Sequence, residues 1–151
     1  MDSIDVEILR RLGKNAKTTL AEIANELGIA VSSVHKRVKR LEEEGVIEKY
    51  AAIVNPDFFN AVTAFLLVSA EDADAVAEEI KDIPGVLEVY KTLGNFNVVA
   101  KVRKESLDGI ADVTSSVSSI EGVMMVECIV ATRRVKEDVW TPEVVAWKNT
   151  R

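Results

Sequence analysis

This 151-residue chain is poor in reactive side chains. It has one cysteine, one histidine and no long apolar run, and each scarcity excludes something. A lone Cys128 can build neither an intramolecular disulfide framework nor a multi-cysteine metal site. Its place inside an apolar, strand-like run predicts a buried, inert thiol. His35 is far from Cys128 in the chain, which leaves little for histidine or thiol catalysis, so neither a cofactor nor a metal is expected. The longest apolar stretch, 61–70, is half of what a membrane-spanning helix needs. The N-terminus opens with acids rather than a basic leader, so a cytoplasmic protein is expected.

An excess of positive charge is also missing. The net charge is −6, with 19 Lys and Arg against 25 Asp and Glu. The imbalance is uneven. Residues 1–55 hold nine of each sign, whereas residues 56–151 hold ten cations and sixteen acids. A polyanion requires a basic face rather than a basic protein, so this division leaves room for a nucleic-acid reader in the first third.

That first third has the pattern of one. Residues 20–45 read LAEIANELGIAVSSVHKRVKRLEEEG. Thr19 and Glu22 have capping-box spacing, and Leu20, Ile23, Ala24 and Leu27 follow at helical intervals. Gly28 can take the left-handed conformation that stops a helix. A second helix then places Val31, Val34, Val38 and Leu41 on one narrow face, predicted to be buried. Ser33, Lys36 and Arg40 lie roughly opposite, with Ser32, His35 and Lys39 on one flank and Arg37 bordering the core. No acid occurs from Leu27 to Leu41, and Glu42, Glu43 and Glu44 then arrive together. A bihelical unit with a basic second helix predicts a helix-turn-helix that binds double-stranded DNA through Ser32, Ser33, His35, Lys36, Arg37, Lys39 and Arg40. On this reading, removing Arg37 or Arg40 weakens binding by about 1–3 kcal/mol if the contact is to a base. A helix capped by Asp2 or Ser3, striped by Ile4, Ile8, Leu9 and Leu12 and ending near Gly13, precedes the pair. Residues 46–54 read as a linker strand that Asn55-Pro56 breaks, closing a DNA-binding domain over residues 1–55.

The remainder repeats. Ile83-Pro84-Gly85-Val86 returns 37 residues later as Ile120-Glu121-Gly122-Val123. Each copy follows a helical pattern (72–82 and 106–119), each helix follows a strand (61–70 and 96–103), and each copy leads into another strand (87–93 and 124–134). The order β-α-β-β-α-β predicts an α+β, ferredoxin-like domain over residues 56–135, an antiparallel sheet with helices on one face. Gly94-Asn95 marks a hairpin turn. Val62, Ala64, Leu66 and Val68 alternate with Thr63, Phe65, Leu67 and Ser69, so both faces of the first strand are apolar and a second sheet is the expected partner. Residues 136–151 form a tail in which Thr141-Pro142 signals a short helix with Val144, Val145 and Trp147. Its tryptophans, Trp140 and Trp147, are expected to pack on the protein's own surface.

From Asp2 to about Val135, both halves resemble the Lrp/AsnC, or feast/famine, family of transcription regulators. The residues carrying the resemblance are 4–56, including RVKRLEEEGVI at Arg37–Ile47, and IPGVLEVYKTLGNFNVVAKV at 83–102. The second half resembles the family's effector (RAM) domain. The resemblance implies a winged-type helix-turn-helix regulator that dimerises through its sheets, often assembles into octamers, and bends or wraps DNA at pseudo-palindromic sites. It also implies a small effector, usually an amino acid, bound between subunits at the hairpin Gly94, Asn95, Phe96 and Asn97, with Cys128 contributing. Here Asn97 stands where the family has an aspartate and Cys128 where it has a hydroxyl residue. Siroheme decarboxylases resemble the same architecture, but residues 56–151 contain no histidine to serve as their acid-base group. A third reading is a partner that modulates related regulators through mixed oligomers and does not bind an effector itself.

Overall fold

A computed structural model describes residues 1–143 and divides the chain into two compact units. The first is Met1–Ile53 together with the segment that begins at Lys136; the second is Val54–Val135.

The first unit is helical: α1 (Ser3–Lys14), α2 (Leu20–Leu27) and α3 (Val31–Glu43). Each of the first two starts at a reciprocal cap. Asp2 accepts from the backbone N–H groups of Ile4 and Asp5, while Asp5 Oδ2 accepts from the Asp2 N–H at 2.8 Å. Thr19 Oγ1 accepts from the Glu22 N–H, and Glu22 returns the bond to the Thr19 N–H at 2.7 Å. Such caps satisfy N–H groups that the helix cannot pair itself, and each contributes about 1 kcal/mol. Gly28 closes α2 at φ +66°, a conformation in which an L side chain is strained. Ile8, Leu12, Ile23, Ala24, Val34 and Val38 form the small core.

Several expectations for this unit need correction. Val31 is 49% exposed, because it opens α3 beyond the reach of the core. Val6 is completely buried although the α1 stripe omitted it, and Leu9 is only half-buried. Residues 46–54 join no sheet: the four-stranded sheet is built wholly from later strands, so the segment is a linker without strand pairing. α1 also runs one residue past Gly13, and the Thr141 methyl occupies the place where a Gly13 Cβ would stand. Of the expected C-terminal helix, Thr141–Glu143 carry no helix, and Val144, Val145 and Trp147 lie outside the described residues. Trp140 is 83% exposed and does not pack on the surface as expected.

The second unit opens with a single 3-10 turn (Pro56–Phe59) and continues as β1 (Val62–Ala70), α4 (Ala73–Ile80), β2 (Val86–Lys91), β3 (Val98–Lys104), α5 (Leu107–Ser118) and β4 (Val123–Val130). The strands lie in the order β2-β3-β1-β4, all neighbours antiparallel, as the repeat requires. Each repeated glycine turn finishes the first strand of the other half. The Arg103 N–H donates to the Gly85 carbonyl at 2.9 Å, and the Glu71 N–H donates to the Gly122 carbonyl at 2.8 Å. Both glycines have positive φ, which these turns demand.

Ala64, Leu66, Val68 and Ala70 of β1, with Val98, Ala100 and Val102 of β3, pack against Val76 and Ile80 of α4 and Ile110, Val113 and Val117 of α5. The registers put Phe65, Leu67, Val99, Tyr90, Met125 and Ile129 on the opposite face, where no helix of this unit packs. Among the described residues this face also holds the Lys101–Glu88 ion pair at 3.0 Å.

Candidate nucleic-acid interface and hairpin

α3 has four Lys and Arg residues, and the fold treats them in two ways. Lys36 and Lys39 are exposed. Lys36 has no polar partner among the described residues, and Lys39 stands 3.6 Å from Glu43 across one turn, a solvated pair worth little. Ser32 and His35 are exposed beside them, and Ser33 is half-buried. Together these residues form a free polar and cationic strip along the outer side of the helix. Ala30, at the N-cap of α3, contributes no side-chain bond, so the first amides of this helix remain uncapped.

The two arginines are committed elsewhere. Arg37 Nη1 donates to Asp5 Oδ1 at 2.7 Å and to both Asp2 oxygens at 2.8 and 2.9 Å. Arg40 Nη2 donates to Asp5 Oδ2 at 2.7 Å, and its Nε lies 3.8 Å from Glu44. The Asp5 side chain is 1% exposed, whereas Arg37 and Arg40 are 23% and 44% exposed. The hydrogen bond to Asp5, then that to Asp2, holds the Arg37 guanidinium above its ordinary value. Asp2 is held below the usual carboxylate range, first by the Asp5 N–H, against a burial penalty, and then by Arg37. Arg37 therefore fastens α3 to α1 and does not line the outer strip, and Arg40 is bonded to Asp5 while remaining partly exposed at the strip's edge. Sequence reasoning missed Asp5, which resembled an ordinary first-turn acid. The signal was available: Asp2 and Asp5 are three apart on α1, as Arg37 and Arg40 are on α3, so two acids and two cations face each other at matched helical spacing.

In the second unit the hairpin is wider than a two-residue Gly94-Asn95 turn. The β2–β3 ladder stops at Lys91 opposite Val98, and the Thr92 N–H then closes the loop by donating to the Asn97 carbonyl at 3.0 Å. Thr92 Oγ1 donates to the Phe96 carbonyl at 2.7 Å. Asn97 turns toward β1 instead of extending the hairpin. Its N–H donates to the Val68 carbonyl, its Oδ1 accepts from the Ala70 N–H at 2.9 Å, and its Nδ2 donates to the Ala70 carbonyl at 2.7 Å. The side-chain amide thus imitates one more strand residue at the end of β1. Gly94, at φ +122°, and Asn95 are exposed at the tip, Leu93 is fully exposed beside them, and Phe96 is half-buried.

Within one chain the structure does not bring Cys128 to this hairpin. Cys128 is paired with Leu66, four residues back along β1 from Ala70, about 13 Å at strand rise, and it packs toward the helix-covered core. The sequence-based grouping of Cys128 with Gly94, Asn95, Phe96 and Asn97 is therefore not one site of a single subunit. Among the described residues no group of His, Cys, Asp and Glu is arranged to hold a metal ion, and no helix is long and apolar enough to cross a membrane.

Comparison with known proteins agrees with both halves. Residues 1–48 match a family model described as winged helix-turn-helix DNA-binding, and residues 63–141 match the Lrp/AsnC ligand binding domain. The chain is 36% identical over 145 residues to the HTH-type transcriptional regulator FL11 of Pyrococcus furiosus, covering 94% of this chain and 96% of that protein. It superposes on a Neisseria meningitidis transcriptional regulator solved as an L-Met complex, with TM-score 0.81 and 25% identity, over 94% of this chain and 96% of the other. A feast or famine regulatory protein from M. tuberculosis complexed with L-methionine gives TM-score 0.83 and 27% identity, over 93% and 99%. With its DNA-binding helical unit and ligand-binding βαββαβ unit, the chain belongs to the Lrp/AsnC family of transcription regulators.

Proposed function

We propose that this regulator reads double-stranded DNA through the outer strip of α3, with Ser32, Ser33, His35, Lys36 and Lys39 as the contacting side chains and Arg40 at its edge. The observation that carries the reading is the split among the α3 cations: Lys36 and Lys39 stand free of carboxylates of other helices, while Arg37 is turned onto α1. Phosphate contacts would come from the lysines, and base-edge contacts from the N-terminal half of the helix.

The second unit would bind a small amino acid between two copies of the chain. The family's ligand-binding domain and the two L-methionine complexes among relatives support this. The apolar face formed by Phe65, Leu67, Val99 and Ile129 supports sheet-to-sheet pairing as a homodimer and then larger assemblies. At the hairpin, Asn97 has both polar atoms on Ala70, so a bound amino acid would meet the backbone of Gly94 and Asn95 and the ring of Phe96 rather than the Asn97 amide.

The test is a gel-shift titration of the full chain on its own upstream DNA and on random DNA at physiological salt, with and without mixed amino acids. Tighter binding to the upstream DNA and a change on adding amino acids are expected. Equal binding to both DNAs, unmoved by any amino acid, would contradict the reading.

A further inference from the structure

α3 carries four cations, and a buried carboxylate on another helix holds two of them, which matters if the outer strip of α3 faces DNA as proposed above. We propose that Asp5 is a specificity-determining residue for DNA binding: by fixing Arg37 and Arg40 against α1 it keeps them off the phosphate backbone and sets how much of the affinity depends on sequence.

Three bonds converge on this carboxylate. Oδ1 accepts from Arg37 at 2.7 Å; Oδ2 accepts from Arg40 at 2.7 Å and from the Asp2 N–H at 2.8 Å. Asp5 is the only buried charged residue among the described residues. Capping α1 alone does not require it, because Thr19 and Glu22 form the same reciprocal cap for α2 in the open. What Asp5 adds is a fixed partner for two guanidinium groups that would otherwise sweep freely beside Lys36 and Lys39.

Sequence-independent affinity grows with the number of mobile cations that reach phosphates, and each such contact steepens the salt dependence by about one unit. Sequence-dependent affinity needs groups held in one place. Tying down two of the four α3 cations suppresses the first term. It also presents the exposed half of Arg40 in a single orientation beside Lys36, one turn away on the same face.

The test uses the full chain with Asp5→Asn, a nearly isosteric change that removes the charge, alongside Asp2→Asn, which weakens only the exposed half of the clasp. Binding is measured against salt on a random duplex and on a duplex selected from a random pool by the unaltered protein; circular dichroism is recorded for each variant. For Asp5→Asn the salt slope on random DNA should steepen by about one to two, and the selected-to-random affinity ratio should fall about tenfold. Asp2→Asn should move both in the same direction by less. Adding Arg37→Gln to Asp5→Asn should return about one unit of slope. Equal losses on both duplexes with an unchanged slope, in both single variants, would make Asp5 a folding residue only and overturn the proposal. So would a double variant that keeps the full slope change. Because Asp2→Asn leaves the buried group in place, the proposal stays testable if Asp5→Asn does not fold.

Discussion

The two units solve the same problem, holding a functional surface in place, with opposite chemistry. The helical unit has few buried apolar side chains and fixes its α1–α3 contact with a charged network of Asp2, Asp5, Arg37 and Arg40. The sheet unit has a larger core made only of aliphatic residues, and its hairpin is held by neutral bonds from Asn97 and Thr92. Small modules bury too little surface for apolar packing alone to fix every contact. Ion pairs with a buried member add direction where area is short, although they stabilise less than their number suggests. The teaching is that charge in this molecule marks orientation, not the bulk of stability.

That contrast can be broken most severely in the apolar core. Leu66→Ala removes a fully buried side chain between the sheet and its helices and should cost about 2–5 kcal/mol, read as a lowered denaturant midpoint. An unaffected midpoint would mean that the aliphatic core is not what holds the sheet unit. Next, Asn97→Asp puts a charge among the neutral hydrogen bonds that hold the hairpin. The Ala70 carbonyl loses its donor and faces a carboxylate oxygen, so thermal unfolding should show a loss of about 1–3 kcal/mol at neutral pH. In the helical unit, Thr19→Ala removes the α2 cap at a cost of about 1 kcal/mol, measurable by chemical denaturation.

The smallest expected effect is that of acid. Asp2 is held low first by the Asp5 N–H, Glu7 first by Arg11 and Glu22 first by the Thr19 N–H. Their folded values lie below their unfolded ones, so the stability they contribute is present above the unfolded carboxylate range and is lost as pH falls through the folded values. Unfolding of the helical unit, followed by circular dichroism at 222 nm from about pH 5 down to 2, should become easier with acid; a flat profile would remove these carboxylates from the account. At the alkaline end, burial and then the bond to Glu42 push the Tyr50 hydroxyl up to about 12. Its neutral form is the one the fold favours, so that contribution is complete below pH 10 (about the ordinary tyrosine value) and is lost as pH rises through the folded value. Ultraviolet titration of tyrosinate should show Tyr50 ionising late, and Tyr90, held up by its bond to Glu88, also above the ordinary value.

Much of this architecture is legible in the sequence because it rests on local rules. Thr19, Glu22 and Gly28 state the start and stop of α2 within ten residues, and the repeated glycine turns at 85 and 122 state the βαββαβ order. What was not legible depends on distant partners. Nothing near Asn97 says that its amide will bond to Ala70, 27 residues earlier, and Arg37 turns toward Asp5 rather than outward for a reason that shows only when its spacing from Arg40 is set against that of Asp2 and Asp5. The linker at 46–54 has strand-like composition, but a strand needs a neighbour, and none of β1 to β4 pairs with it.

The central claim is that the free lysines of α3, not its clasped Arg37, contact DNA. It is tested most directly by comparing salt-dependent binding of Lys36→Gln and Arg37→Gln in the full chain, with thermal unfolding of each. Lys36→Gln should lower the salt slope by about one without changing the unfolding temperature, while Arg37→Gln should lower the unfolding temperature and leave the slope nearly unchanged. An unchanged slope in Lys36→Gln together with a lowered slope in a fully stable Arg37→Gln would contradict the account.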